Sequence, residues 1–500
     1  MGETQIVDLL VIGGGINGAG VARDAAGRGL SVVLVEQDDL ACATSNWSSK
    51  LVHGGLRYLE QYEFRLVREA LEEREVLLRA APHLVHPLQF VLPHSPDMRP
   101  FWFLRLGVWI YDRLGRRVSL PGAASVRFPD PELSAGLKAG LRRGLSYFDC
   151  RVDDARLTVI NAMGAREKGA MIRTRTRFVC ARRESGAWRA EVEDVTTGAR
   201  EAVQARAIVN AAGPWVMRSL NGIDHKPSPA RVRLVKGSHI VVPRIHGLDH
   251  AYTLQNPDKR IVFIIPYERS FSLIGTTDVP VDSPESAREI SSDETSYLLD
   301  SVNRWLASPL KQTDIVWSYA GVRPLYDDGS DNPSAITRDY TLVVEDEAGR
   351  APALNVFGGK ITTFRCLAES VLDKLKPYFP AMGAPWTARE PLPGGETEFF
   401  EGFLYEFTDR LPKIREPYLV GLIARHGTRA REVVGDATTP SDLGRDFGAG
   451  LTAREIDYLI DREWARSGDD ILWRRTKCGL HLNAAERSAV SEYVAARVGH

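Results

Sequence analysis

The opening forty residues constrain this chain more than any other stretch. Residues 6–12 form a short β-branched run that reads as a strand, and Gly13-x-Gly15-x-x-Gly18 follows it. Residues 19–28 suit a helix, and residues 31–36 read as a second strand ending on an acid, Glu36. That is a βαβ start with a glycine-rich first turn. One glycine permits the tight turn, the next lets backbone amides approach a pyrophosphate, and the third lets helix pack on strand. Unpaired N–H groups and the macrodipole favour anions at the helix N-terminus, and a carboxylate at Glu36 can accept hydrogen bonds from ribose hydroxyls. A lone glycine loop is also compatible with a plain βα turn. Strand, loop, helix, strand and acid in register point instead to a dinucleotide site.

Nothing in that loop separates FAD from NAD; two later segments do. Residues 207–215 read as a buried strand ending in Ala211-Ala212-Gly213-Pro214-Trp215, small residues that let backbone lie against a flat cofactor. Residues 354–363 read as another strand feeding Gly358-Gly359-Lys360-Ile361-Thr362, a second helix start able to stabilise negative charge on a reduced flavin. Each alone is compatible with a purely structural role. Their order after the first motif favours FAD.

Five hundred residues suffice for several domains and a large core. A hydrophobic content of 44% with 26% charged residues is that of an ordinary globular enzyme. A net charge of -1 leaves no basic excess for nucleic acid. The five cysteines are scattered and form no C-x-x-C, so neither a disulfide framework nor a metal site is expected. No secretory leader and no membrane-spanning run are expected. Residues 101–117 complicate that picture, because Phe101-Trp102-Phe103-Leu104 and the later Trp109 and Tyr111 precede Arg113, Arg116 and Arg117. Such a segment suits a helix resting on a lipid interface, or a buried helix with a basic end.

Further on, residues 50–80 carry helical periodicity, 173–209 alternate like a small antiparallel meander, and 231–278 again read as strands. After the joint at Pro391-Leu392-Pro393-Gly394-Gly395 the pattern is helical.

The run Ala43-Thr44-Ser45-Asn46-Trp47-Ser48-Ser49-Lys50-Leu51-Val52-His53-Gly54-Gly55-Leu56-Arg57-Tyr58-Leu59, followed by Tyr62-Glu63-Phe64-Arg65-Leu66-Val67, resembles the flavin-linked glycerol-3-phosphate dehydrogenase family. So do Lys236-Gly237-Ser238-His239, Gly275-Thr276-Thr277-Asp278, Ala320-Gly321-Val322-Arg323-Pro324-Leu325, Gly358-Gly359-Lys360-Ile361-Thr362-Thr363-Phe364-Arg365 and Arg474-Arg475-Thr476. The match runs in order from about residue 5 to 480. The resemblance implies an α/β fold: an FAD-binding Rossmann-type domain like those of glutathione reductase and D-amino-acid oxidase, an antiparallel substrate domain and a helical C-terminal cap. The FAD domain is expected to be discontinuous (1–80, 150–225 and 340–385), with substrate domain 81–149 and 226–339 and cap 386–500. The implied cofactor contacts are Gly13, Gly15, Ile16, Asn17, Gly18, Glu36, Gln37, Thr44, Ser45, Ser48, Ser49, Lys50, His53, Gly54, Gly55, Cys180, Ala211, Ala212, Gly213, Trp215, Gly358, Gly359, Lys360, Ile361 and Thr362. Trp47 departs from the small residue usual in the family and is left out.

The implied reaction oxidises sn-glycerol 3-phosphate to dihydroxyacetone phosphate, a hydride leaving C2 for the flavin N5 while the hydroxyl loses a proton. Such a substrate demands cations, a proton acceptor and a carbonyl stabiliser. Arg57, Arg323 and Arg338 supply guanidinium forks for the phosphate. His239 is the candidate base, since imidazole titrates near working pH. Lys360 can hold the C2 oxygen or flavin charge, and Tyr58 can bond the substrate. In the family a membrane quinone takes the electrons, which makes residues 101–117 a candidate docking surface. The protein is then expected in the cytoplasm, peripherally attached to the inner face of the cell membrane, with a homodimer left open. Two rivals share the fold: a glycerol-3-phosphate oxidase using oxygen, and an amine or amino-acid oxidase, which needs one cation for a carboxylate rather than several for phosphate.

Overall fold

The computed structural model describes residues 6–115, 118–128, 130–224, 231–258, 260–327 and 339–499. Two large sheets organise it. The first begins with strand β1 (Val7–Ile12), helix α1 (Ile16–Gly27) and strand β2 (Val32–Val35). Leu9, Leu10 and Val11 are fully buried, as a continuous apolar run requires when both faces of a sheet are covered. Strand β1 pairs in parallel with β2 on one side and with Arg200–Asn210 on the other. Met171–Arg173 extends the sheet beyond β2, and Arg350–Phe357 extends it beyond Arg200–Asn210, both in parallel. The expected meander is present, Thr176–Glu184 and Ala187–Asp194 pairing antiparallel and joining the early part of Arg200–Asn210. Helix α1 packs between Asp154–Glu167 and Phe364–Leu375. Strand order reverses beside β1, so a crevice opens at the carboxyl ends of β1 and its neighbours, where such sheets take ligands.

The second sheet has ten strands, led by Val232–Pro243, Phe271–Gly275, Ile261–Tyr267 and His250–Gln255, with Trp317–Tyr326 on the far side of Val232–Pro243. Its pairings are antiparallel except where His250–Gln255 meets Val85–Pro93. Residues 50–80 do not form one helix. Leu51–Val52 is a strand of the second sheet, Gly54-Gly55 interrupts, a 3-10 turn spans Leu56–Gln61, and helix α2 is Phe64–Ala80. Gly55 has φ of 77° and Tyr62 closes the turn in the left-handed region, breaks that helical periodicity alone does not register.

Residues beyond 385 are helical, and their apolar side chains (Leu419, Leu422, Ile456, Leu459) share one core with β1, α1 and β2. Helix α3 (Phe101–Leu114) buries Val108 and Tyr111 but leaves Trp102 66% and Trp109 51% exposed. Its aromatic side faces solvent, so the alternative of a buried helix does not hold. Arg116 and Arg117 lie outside the described residues. Among the described residues, no helix is long and apolar enough to cross a membrane.

Candidate active site

Between the sheets lies a cavity of about 660 Å³ that reaches from the first glycine loop to the second sheet. At its first end the backbone is glycine by necessity. Gly13 has φ of +107°, and a Cβ on Gly18 would stand 1.9 Å from the Gly13 carbonyl oxygen. Gly15 begins α1 without a side-chain cap, leaving the helix start turned to the cavity, where Ser45 Oγ accepts the Ile16 N–H at 2.9 Å. Glu36 accepts the Gly14 N–H at 2.7 Å and the Asp38 N–H at 2.9 Å. Its withdrawal from bulk water pushes its carboxyl up to about 7 in spite of those two bonds.

The middle is built from two strand ends and a loop. Ala211, Ala212 and Gly213 follow Arg200–Asn210, and the Ala211 N–H donates to the Ile12 carbonyl at 2.9 Å. Gly358 to Thr362 follow Arg350–Phe357, held against α1 by the bond from Asn17 Nδ2 to the Gly358 carbonyl at 3.2 Å. The hydroxyl-rich loop closes the side. Thr44 Oγ1 donates to the Val322 carbonyl at 2.6 Å, Ser48 Oγ to Asp154 at 2.7 Å, and Thr362 Oγ1 accepts the His53 N–H at 3.2 Å. Burial lowers the His53 imidazole, with Lys360 adding and Asp149 opposing. Trp215 donates its indole N–H to Glu285 at 2.9 Å.

At the far end the second sheet presents one face. Register opposes Gly237 to Gly321, His239 to Tyr319 and Val235 to Arg323, and residues two apart share a face. Arg323 donates to Asp278 at 2.7 Å while remaining on the cavity wall. The Lys360 ammonium stands 3.7 Å from the centre of the Tyr58 ring. A partly exposed guanidinium, an ammonium and several hydroxyls lining one cavity suit a small anionic, hydroxylated substrate.

Most expected residues line this cavity: Gly13, Gly15, Ile16, Asn17, Glu36, Gln37, Thr44, Ser45, Ser48, Ser49, His53, Gly55, Tyr58, Ala211, Ala212, Gly213, Trp215, Arg323 and Gly358 through Thr362. Others stand behind the wall. Gly18 packs helix on strand, and the Gly54 N–H donates to the Tyr111 hydroxyl at 2.8 Å. Lys50 is buried in an ion pair with Asp154 at 2.8 Å and donates to the Asn46 carbonyl at 2.7 Å. His239 is 1% exposed and meets the lining residue Ser49. Burial, then Arg323 and Lys50, hold its imidazole well below the usual range. Cys180 sits past an irregularity between Phe178 and Cys180 and is off the cavity lining, to which this strand contributes Thr176, Arg177, Phe178 and Val179. A bulge shifts which residues face inward, and alternation read from sequence misses it. Arg57 carries a described backbone only, and Arg338 lies outside the described residues.

Sequence reasoning missed Trp47, Tyr147, Arg177, Arg260, Phe263, Thr276 and Asp278 on the wall. Thr276 and Asp278 stood inside a motif already singled out. Tyr147 and Phe263 come from strands whose alternation signals a buried face but not which cavity it meets.

The fit to an extended dinucleotide therefore rests on three features: a backbone cradle at Gly13 and Gly18, a helix start turned to the cavity, and the Glu36 carboxylate on the lining. The comparisons agree. The model for FAD dependent oxidoreductases matches residues 8–365, and that for the C-terminal domain of alpha-glycerophosphate oxidase matches 385–499. The aerobic glycerol-3-phosphate dehydrogenase of Escherichia coli K12 is 54% identical over 97% of each chain. The D-erythritol 1-phosphate dehydrogenase of Brucella abortus is 52% identical over 99% of this chain and 98% of its own. The structure of the Bacillus halodurans glycerol-3-phosphate dehydrogenase complexed with FAD aligns with TM-score 0.75 and 25% identity, covering 99% of this chain and 95% of that one. A glycine cradle for a dinucleotide, a second sheet closing over it and a helical C-terminal unit, matched along the whole chain, make this protein a member of the FAD-dependent glycerol-3-phosphate dehydrogenase family.

Proposed function

We propose that this protein oxidises sn-glycerol 3-phosphate to dihydroxyacetone phosphate and passes the electrons to a quinone. The observation that carries the reading is that Arg323, Lys360 and Tyr58 line the same cavity as the glycine loop that fits FAD. When bound, FAD would supply the acceptor for the hydride that leaves C2. Arg323 holds the phosphate, joined by Arg57 and Arg338. Lys360 holds the C2 oxygen as it becomes a carbonyl, since an ammonium strengthens its hold as negative charge develops. Tyr58 orients the substrate, and His239 belongs to the proton path. The division into a discontinuous FAD unit, a substrate unit and a C-terminal cap is part of the same reading.

Helix α3 supports a membrane-bound acceptor. Its exposed Trp102, Phe103, Leu106 and Trp109 lie beside exposed Arg105 and Arg113, the Arg113 guanidinium standing 4.2 Å from the centre of the Trp109 ring. Aromatic and basic groups on one exposed helix suit the headgroup region of an anionic bilayer, and support attachment to the inner face of the cell membrane. Whether two copies then associate belongs to the same proposal.

One second reading has a specific motive. A relative of nearly the same identity is named for D-erythritol 1-phosphate, a longer polyol phosphate. Anaerobic addition of each substrate to the holoenzyme separates them: bleaching of the visible flavin band by sn-glycerol 3-phosphate at the lower concentration supports the first reading. Reoxidation by a soluble quinone far faster than by air supports a dehydrogenase, and the reverse order an oxidase. Absence of bleaching by any phosphorylated polyol overturns the proposal.

A further inference from the structure

His239 is 1% exposed and off the cavity lining, and the lining residue it bonds is Ser49. Ser49 lines the cavity, and its Oγ lies 2.9 Å from His239 Nε2. The imidazole is clamped on both sides. The Tyr319 ring stacks on it at 4.9 Å and 20°, and a Cβ on Gly275 would stand 2.1 Å from its Cδ2. Gly275 is thus a backbone floor on which the ring rests. Nδ1 is buried with no hydrogen-bond partner among the described residues. Buried polar atoms of native proteins are almost always satisfied, and exceptions cluster at working sites. Every constraint on this ring directs its one bonded nitrogen at Ser49.

We infer that Ser49 and His239 form a proton relay, Ser49 touching the reacting hydroxyl and His239 acting through it. The inference rests on the substrate being a phosphorylated secondary alcohol, as proposed above. The C2 hydroxyl proton bonds to Ser49 Oγ as the proton of Ser49 passes to Nε2 of the neutral imidazole. The O–H electron pair becomes the second C–O bond, and the hydride lost from C2 is taken up in the chemistry that bound FAD supplies. Ser49 is then a catalytic residue and His239 a positioning and proton-storing one.

The surrounding charges fit this assignment. The groups facing the ring are Ser49 and Lys50 from the loop, Tyr319 and Arg323 from one neighbouring strand, and Gly275 from the other. Arg323 and Lys50 add to burial in keeping the free imidazole neutral, hence able to accept. A phosphate dianion against Arg323 cancels part of that opposition, so bound substrate raises the proton affinity of the group that must take its proton.

The test compares holoenzymes S49A, S49T, H239Q and the double variant S49A/H239Q. Anaerobic stopped-flow bleaching by sn-glycerol 3-phosphate reads the rate. Spectral titration with 3-hydroxypropyl phosphate, which lacks the C2 hydroxyl, reads binding without turnover, and the ¹⁵N resonance of His239 Nε2 reads the hydrogen bond. We expect S49A and H239Q each to slow bleaching by about 10²–10⁴-fold, and the double variant to be no slower than the slower single one, since residues acting as a unit are not additive. S49T restores most of the rate, 3-hydroxypropyl phosphate binds all variants alike, and S49A moves the Nε2 resonance. Parental bleaching in S49A, or single effects that multiply, overturns the relay. Loss of 3-hydroxypropyl phosphate binding in step with rate also overturns it, in favour of a structural role. If the parent bleaches only with D-erythritol 1-phosphate, the substrate reading fails, and the same comparison on that alcohol decides the relay.

Discussion

Arg475 closes on Asp39 with two hydrogen bonds of 2.6 and 2.7 Å, although 436 positions separate them. Asp39 lies three residues past Glu36 and just before Ala41, Cys42 and Ala43, which line the cavity. Arg474 adds a third bond to the same carboxylate at 2.6 Å. The C-terminal helical unit therefore grips the loop beside the expected adenosine end. Breaking a buried pair by removing one partner costs about 3–5 kcal/mol, because the other charge is left buried. Replacing Asp39 with Asn should lower the thermal midpoint and speed loss of FAD on gel filtration. Equal FAD retention in parent and variant would show that the grip is purely structural.

Glu36 should make FAD affinity depend on pH. Its carboxyl sits at about 7 in the protein without cofactor, and the charged form is the better acceptor for ribose hydroxyls. Cofactor binding thus favours loss of a proton. Affinity of the apoprotein should fall by up to about tenfold per unit as pH drops below 7 and level off above it. Fluorescence titration from pH 5.5 to 8.5 reads this directly, and Glu36→Gln should bind more weakly with a flat profile.

Replacing Arg323 with Ala should cost mainly transition-state and substrate binding. A hydrogen bond to a charged group contributes about 1.5–3 kcal/mol, or roughly ten- to a hundredfold in kcat/KM. Asp278, which Arg323 bonds at 2.7 Å, loses that bond as well, so the upper part of that range is expected. Arg323→Lys should recover part of the loss, since it keeps charge but not the fork. Steady-state kinetics with a soluble acceptor measures both.

Helix α3 should carry binding to vesicles containing anionic lipid. Changing Trp102 and Trp109 to Glu removes the two large exposed rings and places acids among the phosphates. The floated fraction should collapse while bleaching by substrate in detergent-free buffer is unchanged. Undiminished flotation would move the docking surface elsewhere.

Acid should loosen the C-terminal unit through Glu455. Burial opposes its ionisation, yet Arg425 and His426 outweigh burial and hold the carboxyl at about 2, below its ordinary 4.5. A depressed carboxyl contributes stability above its unfolded value and loses it as pH falls through its folded one. The window is therefore pH 4.5 down to 2, with a contribution of roughly 3 kcal/mol. Urea unfolding across that window should show stability falling with pH, and Glu455→Gln should flatten the slope while lowering stability at neutral pH.

The dinucleotide end was legible in sequence because everything it needs is local. Gly13, Gly15, Gly18 and Glu36 lie within two dozen residues, and strand, turn and helix propensities act over that range. The strand ends at Ala211–Gly213 and Gly358–Thr362 were legible for the same reason, each being a small-residue turn after an apolar run. What tertiary structure alone decided is where distant segments meet. Whether Phe178 or Cys180 faces inward depends on one irregular pairing, and whether Lys50 serves the cofactor or neutralises Asp154 depends on a helix a hundred residues away. A histidine in a family motif signals chemistry, but strand register decides that His239 sits behind Ser49 rather than on the wall. The physical reason is that side-chain alternation specifies a face relative to its own strand. Which face meets the cavity is chosen by pairing and burial between segments far apart in the chain.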